Sequence, residues 1–318
     1  MGFFDIFKKK KDDLTSELES YKTEQPQVNQ QPPISDERNQ KLCADEAFRL
    51  LKKETETPCV TMELSQTKPS VFESKVGGVG YSPHDRDCPE DSRGNQLRLL
   101  AQINCADVFL EDFPKQGLLQ FWILNNDLYG LNLDDGAKQD TFRVIYHKDI
   151  DKSVTEAEIL SKIKDNEYEA DGEGYMPVER EFGLTFKTDT DYISDFDCHF
   201  EKIFCEKYNK LNPPEPLDSL YDFEIDLDEL DLFDESMDKA FRHKIGGYPG
   251  FSQFDPRDED DENYNFLLFQ LDSDCREDFS NSNYEIMWGD LGIGNFFINR
   301  EKLKQLDFSD VLYNWDCG

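Results

Sequence analysis

Asp272-Ser273-Asp274 stands at the end of a short apolar run, Leu267-Leu268-Phe269-Gln270-Leu271. Side chains on a strand alternate between faces, so the two carboxylates fall on one side. With Asp290 of the Trp288-Gly289-Asp290 turn folded back beside them, three hard oxygen donors would converge, as a Ca²⁺ or Mg²⁺ ion requires. The same aspartates have a plainer use, capping the following turn through its backbone amides. The residues leave both readings open, although an EF-hand loop is excluded because the sixth position from Asp272 is Glu277 where that loop needs glycine.

A second set of candidates lies beside two glycine pairs. Lys75 precedes Gly77-Gly78, Lys244 precedes Gly246-Gly247, and Gln102 and Gln270 occupy matching places in the apolar runs further along. A long cation next to a glycine turn, present twice, could line a shared cleft for an anionic ligand. Neither pair has the context of a dinucleotide fingerprint or a P-loop, and isolated glycine pairs usually serve turns that need positive φ. The alternative for Gln102 and Gln270 is burial, with each amide satisfying the backbone of the partner module. Trp288 joins the ligand candidates, but it, Trp122 and Trp315 are the kind of residue that anchors a core or a seam.

Nucleophilic and zinc chemistry find little here. His84, His147, His199 and His243 are far apart, and no His-Glu-x-x-His or Gly-x-Ser-x-Gly is present. Cys198 and His199 are adjacent, which on a helix or strand sends their side chains in different directions.

The elements that must position these residues repeat. Ser74-Lys75-Val76-Gly77-Gly78 recurs as His243-Lys244-Ile245-Gly246-Gly247 at an offset of 169, and Leu99-Leu100-Ala101-Gln102-Ile103 recurs as Leu267-Leu268-Phe269-Gln270-Leu271 at 168. Two motifs that keep their spacing predict two similar modules related by a pseudo-twofold axis, with a site at the seam. The first copy has Asn104 and Ala106 where the second has Asp272 and Asp274, so one half alone could hold a cation.

Strands are predicted over Cys59–Leu64, Leu97–Asn104, Leu118–Leu124, Thr141–Tyr146, Phe266–Leu271 and Asn295–Ile298. Helices are predicted from Ser35 as N-cap through Leu42, Ala44, Ala47, Phe48 and Leu51, over Val154–Ile163 and Asp195–Leu211, and over Glu301–Leu306. Asp218–Glu235 reads as an acidic amphipathic helix with a solvated face, or as a segment presenting carboxylates to a basic partner, and Asp255–Glu262 as a surface loop. The fold class is α+β: internally duplicated mixed or antiparallel sheet modules with flanking helices. Residues 1–34 form a basic-apolar N-terminus and a disordered polar linker. The duplicated domain spans 35–318, with a first copy at about 59–147, a second at about 240–318 and a helical insert between them.

The chain has 318 residues and a net charge of −34, a field that repels phosphate backbones and argues against nucleic acid; it favours positive partners, whether basic proteins, polyamines or divalent cations, or serves solubility alone. Met1–Lys11 joins Phe3, Phe4, Ile6 and Phe7 to four lysines, too weak a foot to hold an acidic body on a membrane, and Ile6 breaks the myristoylation pattern. Eight scattered cysteines without a signal peptide predict free thiols in a reducing cytoplasm.

Several of these motifs resemble the bacterial YwqG-like family, a domain of unknown function. They are His243-Lys244-Ile245-Gly246-Gly247-Tyr248-Pro249, Leu267 to Asp274, Trp288-Gly289-Asp290-Leu291-Gly292 and Phe296-Phe297-Ile298, with Gly77-Gly78, Leu99 to Ile103 and Pro114 to Phe121 agreeing more loosely. The resemblance covers about residues 37 to 318. It implies a cytosolic, internally duplicated α+β protein and supplies neither a reaction nor catalytic residues. Some members travel with toxin–immunity systems, which implies an interaction role. The expectation is a non-enzymatic binding protein, immunity-like or accessory. The competing expectation is an enzyme using a small ligand or divalent metal at the seam, with Lys244 as an anion contact and Asp272, Asp274 and Asp290 as metal or acid–base groups.

Overall fold

Short apolar stretches bounded by turn residues become the strands of a large antiparallel sheet. The computed structural model describes residues 36–170, 172, 174–178, 180–223, 225–230, 233–258, 262–275 and 284–318. The expectations for residues 1–34 and for a Ser35 cap lie outside these. Chain contacts separate Met1–Asn39 from Gln40–Gly318. Of the first unit, the described residues are Asp36–Asn39, which open helix α1 (Asp36–Thr55). The second unit holds the sheet and every other element.

In chain order the strands are β1 (Thr57–Ser65), β2 (Lys75–Val76), β3 (Arg98–Asn104), β4 (Leu118–Ile123), β5 (Phe142–His147), β6 (Phe182–Asp191), β7 (Lys244–Gly246), β8 (Phe266–Asp272), β9 (Asp274–Cys275), β10 (Tyr284–Ile286), β11 (Ile293–Ile298) and β12 (Val311–Asp316). Ten of the described strands pair in the order β12-β11-β8-β7-β1-β6-β2-β3-β4-β5, and β9 and β10 form a separate ribbon. Every pairing is antiparallel, which narrows the expected "mixed or antiparallel" to the second.

The sheet is nearly closed because its two ends meet. Tyr313 of β12 donates its backbone N–H to Gly136 O at 2.9 Å, and its ring lies 5.2 Å from Phe142 of β5. Inside the curve Phe121, Phe269 and Phe296 pack together, with Phe121 and Phe269 stacked at 4.5 Å and Phe296 stacked on Tyr313 at 4.5 Å. Rings from β4, β8, β11 and β12 thus share one core, and aromatic contacts of this kind add to the area they bury.

Helices α2 (Glu156–Leu160), α3 (Glu167–Ala170), α4 (Phe200–Lys210), α5 (Phe233–Ala240) and α6 (Arg300–Lys304) flank the sheet. Ala44, Ala47, Phe48 and Leu51 of α1 pack on Phe200, Phe204 and Tyr208 of α4 in a second core, while Leu42 is half exposed rather than part of the apolar face. Helix α4 starts later than its sequence pattern because Asp197 and Asp255 hold the preceding turn, accepting from His199 N and Cys198 N. Helix α2 is shorter than expected and is capped by Thr155, which accepts from Glu158 N.

One expectation fails outright. Asp218–Glu235 is not one helix: it makes 3₁₀ turns at Leu220–Asp222 and Leu227–Glu229, and α5 begins only at Phe233. Acids three and four apart repel along a helix, and Leu227 and Leu230 instead tuck against the α1–α4 core. Of the 255–262 loop, the described residues 255–258 form no helix or strand and expose Pro256 and Asp258, while the side chains of Asp255 and Arg257 turn inward and ion-pair at 2.6 Å.

Candidate functional site

A cavity of about 680 Å³ opens beside the middle of the sheet. Its walls come from β1 (Thr61 to Leu64), β6 (Lys187, Asp189), the approach to β7 (Phe241 to His243), the end of β8 into β9 (Asp272 to Asp274), and Glu285 of β10. Five carboxylates line it, those of Glu63, Asp189, Asp272, Asp274 and Glu285, against the cations of Lys187 and Arg242 and the imidazole of His243. Part of this charge is already matched: Arg242 lies 3.2 Å from Asp189, and Glu285 accepts from Arg180 and Gln66 at 3.0 Å.

Asp272 and Asp274 share this cavity, as strand alternation predicts. Between them Ser273 donates its hydroxyl to Gly292 O at 2.7 Å and accepts from Trp288 N at 3.0 Å, tying the Trp288–Gly292 turn in place. Asp290 goes with that turn, is exposed and does not line the cavity. The three aspartates are therefore not gathered around one point. Burial pushes the Asp272 carboxyl up to about 6. His243 beneath it is nine-tenths buried, and its Nδ1 accepts the Asp272 backbone N–H at 3.0 Å. That bond puts the ring proton on Nε2, whose nearest carboxylate oxygen is Asp274 Oδ2 at 3.8 Å. Sequence reasoning passed over His243 as one of four scattered histidines. The signal was its position, where the repeated Lys-x-Gly-Gly motif has Ser74 in one copy and His243 in the other.

The lysine–glycine pairs do something else. Lys75 pairs across the sheet with Gln102, and Lys244 with Gln270. Both ammonium groups are buried, Lys75 on Glu181 at 2.7 Å and Lys244 on Asp191 at 2.8 Å. Burial lowers the Lys244 pKa against the opposing pull of Asp191. Gly77, Gly78, Gly246 and Gly247 all have positive φ, between 64° and 74°. At Gly78 and Gly247 a Cβ would also strike the carboxylates of Glu181 and Asp191, so these glycines admit the counter-ions of their neighbouring lysines.

Gln102 and Gln270 are fully buried and satisfy backbone groups. Gln102 accepts from Tyr81 N at 2.8 Å and donates to Val71 O and Glu73 O, and Gln270 accepts from Gly250 N at 2.9 Å and donates to Ala240 O and Arg242 O. Each serves loops of its own side of the sheet, not the opposite module as expected, because the loop lies over the strand that carries the glutamine. Trp288 is wholly buried, edge-on to Tyr129 at 5.6 Å and stacked near Trp315 at 6.1 Å, a core anchor.

Among the described residues, one group of three His, Cys, Asp or Glu brings its ligand atoms within 4.8 Å: Asp197, Cys198 and His199. The neighbours do meet, Cys198 Sγ at 3.4 Å from His199 Nδ1, because they sit in a turn and not in the regular element assumed from sequence. Burial pushes the Cys198 thiol up to about 12, so it is a poor nucleophile and a poor ligand. The Asp197 carboxylate is already held by Arg257 at 2.8 Å, which places a cation where a metal would go.

The fold and cavity define a protein of mixed helices and strands, built on a nearly closed antiparallel sheet with a polar, carboxylate-rich cleft. Residues 74–317 match the family described as a domain of unknown function, DUF1963, and the chain belongs to that family. No curated protein matches the chain. Among the described residues no helix is long and apolar enough to cross a membrane.

Proposed function

We propose that this is a cytoplasmic binding protein, not an enzyme, that engages a basic partner through its acidic surface, with the His243–Asp272 cavity as the point of contact. The observation that carries this reading is the cavity wall, where five carboxylates face two cations. A net charge of −34 steers the same class of partner from a distance. An immunity-like or accessory role suits such a protein. Its motifs support reading it as a bacterial YwqG-like member of the DUF1963 family. In the competing metal-dependent reading the third ligand beside Asp272 and Asp274 is Asp290, and that residue does not line the cavity.

An internal duplication with a pseudo-twofold axis belongs to the same proposal. It is supported by the glutamine bonds, since Val71, Glu73 and Tyr81 become Ala240, Arg242 and Gly250 at the offset of 169 that relates the motifs. The sheet order supports it too: β1 lies beside β7 and β6 beside β2, so each module receives the strand that precedes the other.

The test is calorimetric titration of the full chain with a lysine- and arginine-rich peptide. Binding at low salt that weakens at least about tenfold at high salt and in Asp272→Asn/Asp274→Asn is expected. Absence of binding at every salt concentration, or a Ca²⁺- or Mg²⁺-dependent rise in melting temperature that this double variant abolishes, would overturn the reading.

A further inference from the structure

We propose that the His243–Asp274 corner of the cavity recognises an α-ammonium group together with the carbonyl oxygen next to it, the chemistry of a polypeptide amino terminus or of an amino-acid amide; this rests on the reading that the cavity is the binding site. The carboxylates alone would accept any cation. What narrows the choice is His243, a nine-tenths buried side chain lining the cavity whose Nε2 makes no hydrogen bond among the described residues. Its Nδ1 is already an acceptor for Asp272 N–H, so Nε2 bears the proton.

A protonated ring nitrogen cannot ligate a metal ion. It needs an acceptor, which water entering the cavity can supply and which a ligand that displaces that water must replace. A lysine side chain would satisfy the aspartates and leave Nε2–H unmet, because nothing near its ammonium can accept. An α-amino carbonyl unit meets both demands. By standard bond lengths its nitrogen and oxygen lie about 3 Å apart, close to the 3.8 Å between His243 Nε2 and Asp274 Oδ2. Two roughly parallel hydrogen bonds result, Nε2–H to the carbonyl oxygen and ammonium N–H to the Asp274 carboxylate. Each carboxylate oxygen has two lone pairs, so partners already held by Asp274 leave room for the second bond. Asp272, on the same wall, adds a further negative charge. The corresponding place in the first module cannot do this: Ser74 Oγ accepts Asn104 N–H at 2.8 Å and donates to Asp107 at 2.7 Å, so no donor is left over.

The experiment uses the full chain and three probes: a basic hexapeptide with a free amino terminus, the same peptide acetylated and given one extra lysine to keep its charge, and glycinamide. The free peptide should bind at least ten times more tightly than the acetylated one. That preference should vanish in His243→Ser, which keeps a hydroxyl to accept Asp272 N–H as Ser74 does in the first module, with its melting temperature checked alongside. Should His243→Ser fail to fold, Asp274→Asn in the same assay must abolish the preference. Competition by glycinamide would point to a small amide as sufficient, and its failure to compete beside a tight free peptide would point to a polypeptide terminus. Equal affinity for the two peptides would overturn this inference and leave the acidic-surface reading standing, whereas no binding of either would remove both.

Discussion

Replacing Asp272 by asparagine should stabilise the protein at neutral pH, and the gain should disappear in acid. Burial raises this carboxyl from its ordinary 3.8 to about 6, so the folded protein holds the proton more tightly than the unfolded chain. Between those values the folded state binds more protons, and stability falls as pH rises, the reverse of the usual salt-bridged aspartate. The difference corresponds to at most about 3 kcal/mol at pH 7 and above. Asparagine keeps the shape without the charge, so Asp272→Asn should be more stable by about 1–3 kcal/mol at pH 8 and within about 0.5 kcal/mol of the parent at pH 4. Urea melts across pH 4 to 8 measure this, and the comparison must be variant against parent. His147 opposes it in the same window: burial lowers its pKa to about 4, so its contribution is full above its unfolded value and is lost as pH falls toward 4. A variant that is less stable at pH 8, or a difference that does not change with pH, would refute the argument that Asp272 is ionised at a cost.

Two further substitutions probe the buried lysines and glutamines. Lys244→Met leaves Asp191, only 3% exposed, as an unpaired buried carboxylate and should cost about 3–5 kcal/mol. Lys75→Met should cost less, about 1–3 kcal/mol, because Glu181 is 17% exposed and can turn to water; chemical denaturation giving the opposite order would contradict this account of burial. Gln270→Leu strips hydrogen bonds from Ala240 O, Arg242 O and Gly250 N at once. A loss of about 2–4 kcal/mol is expected in thermal melts, and a loss below about 1 kcal/mol would mean that water replaces the amide.

What the sequence made legible was local and repeated. The two Lys-x-Gly-Gly motifs and the two glutamines stand in the register their spacing implied, because each is a self-contained device: a buried lysine, the glycines that admit its counter-ion, and an amide satisfying the nearby loop. In the middle of the sheet β1 was legible but its neighbour β6 was missed. β6 carries Phe182, Leu184 and Phe186 alternating with Gly183, Thr185 and Lys187, a period-two signal masked by the polar Thr188–Asp191 next to it. Its role depends on pairing with β1 over nine residues, from Thr57 opposite Asp191 to Ser65 opposite Gly183. No local propensity records a partner more than a hundred residues away. The cavity was half legible for the same reason. Asp272 and Asp274 follow from alternation along one strand, but Glu63, Asp189 and Glu285 reach it from three other strands.

The difference between the two Lys-x-Gly-Gly regions argues that the cavity is more than a by-product of folding. Both need an acceptor for the backbone N–H at the end of the neighbouring strand, and a serine hydroxyl suffices for Asn104. At Asp272 the chain places an imidazole there instead. The ring does the same structural work with one nitrogen and presents the other to a cleft. The chain then passes through Ser273 into β9 at Asp274 rather than closing into the 3₁₀ turn, Cys105–Asp107, that Asn104 caps in the first region. A partly buried carboxyl raised to about 6 sits on the same wall at an expense in stability that packing does not require. Groups kept in costly states cluster where a ligand makes use of them. On the proposed reading the acidic surface attracts any cation, and this one imidazole, held in one tautomer, gives the cleft a means of choosing among them.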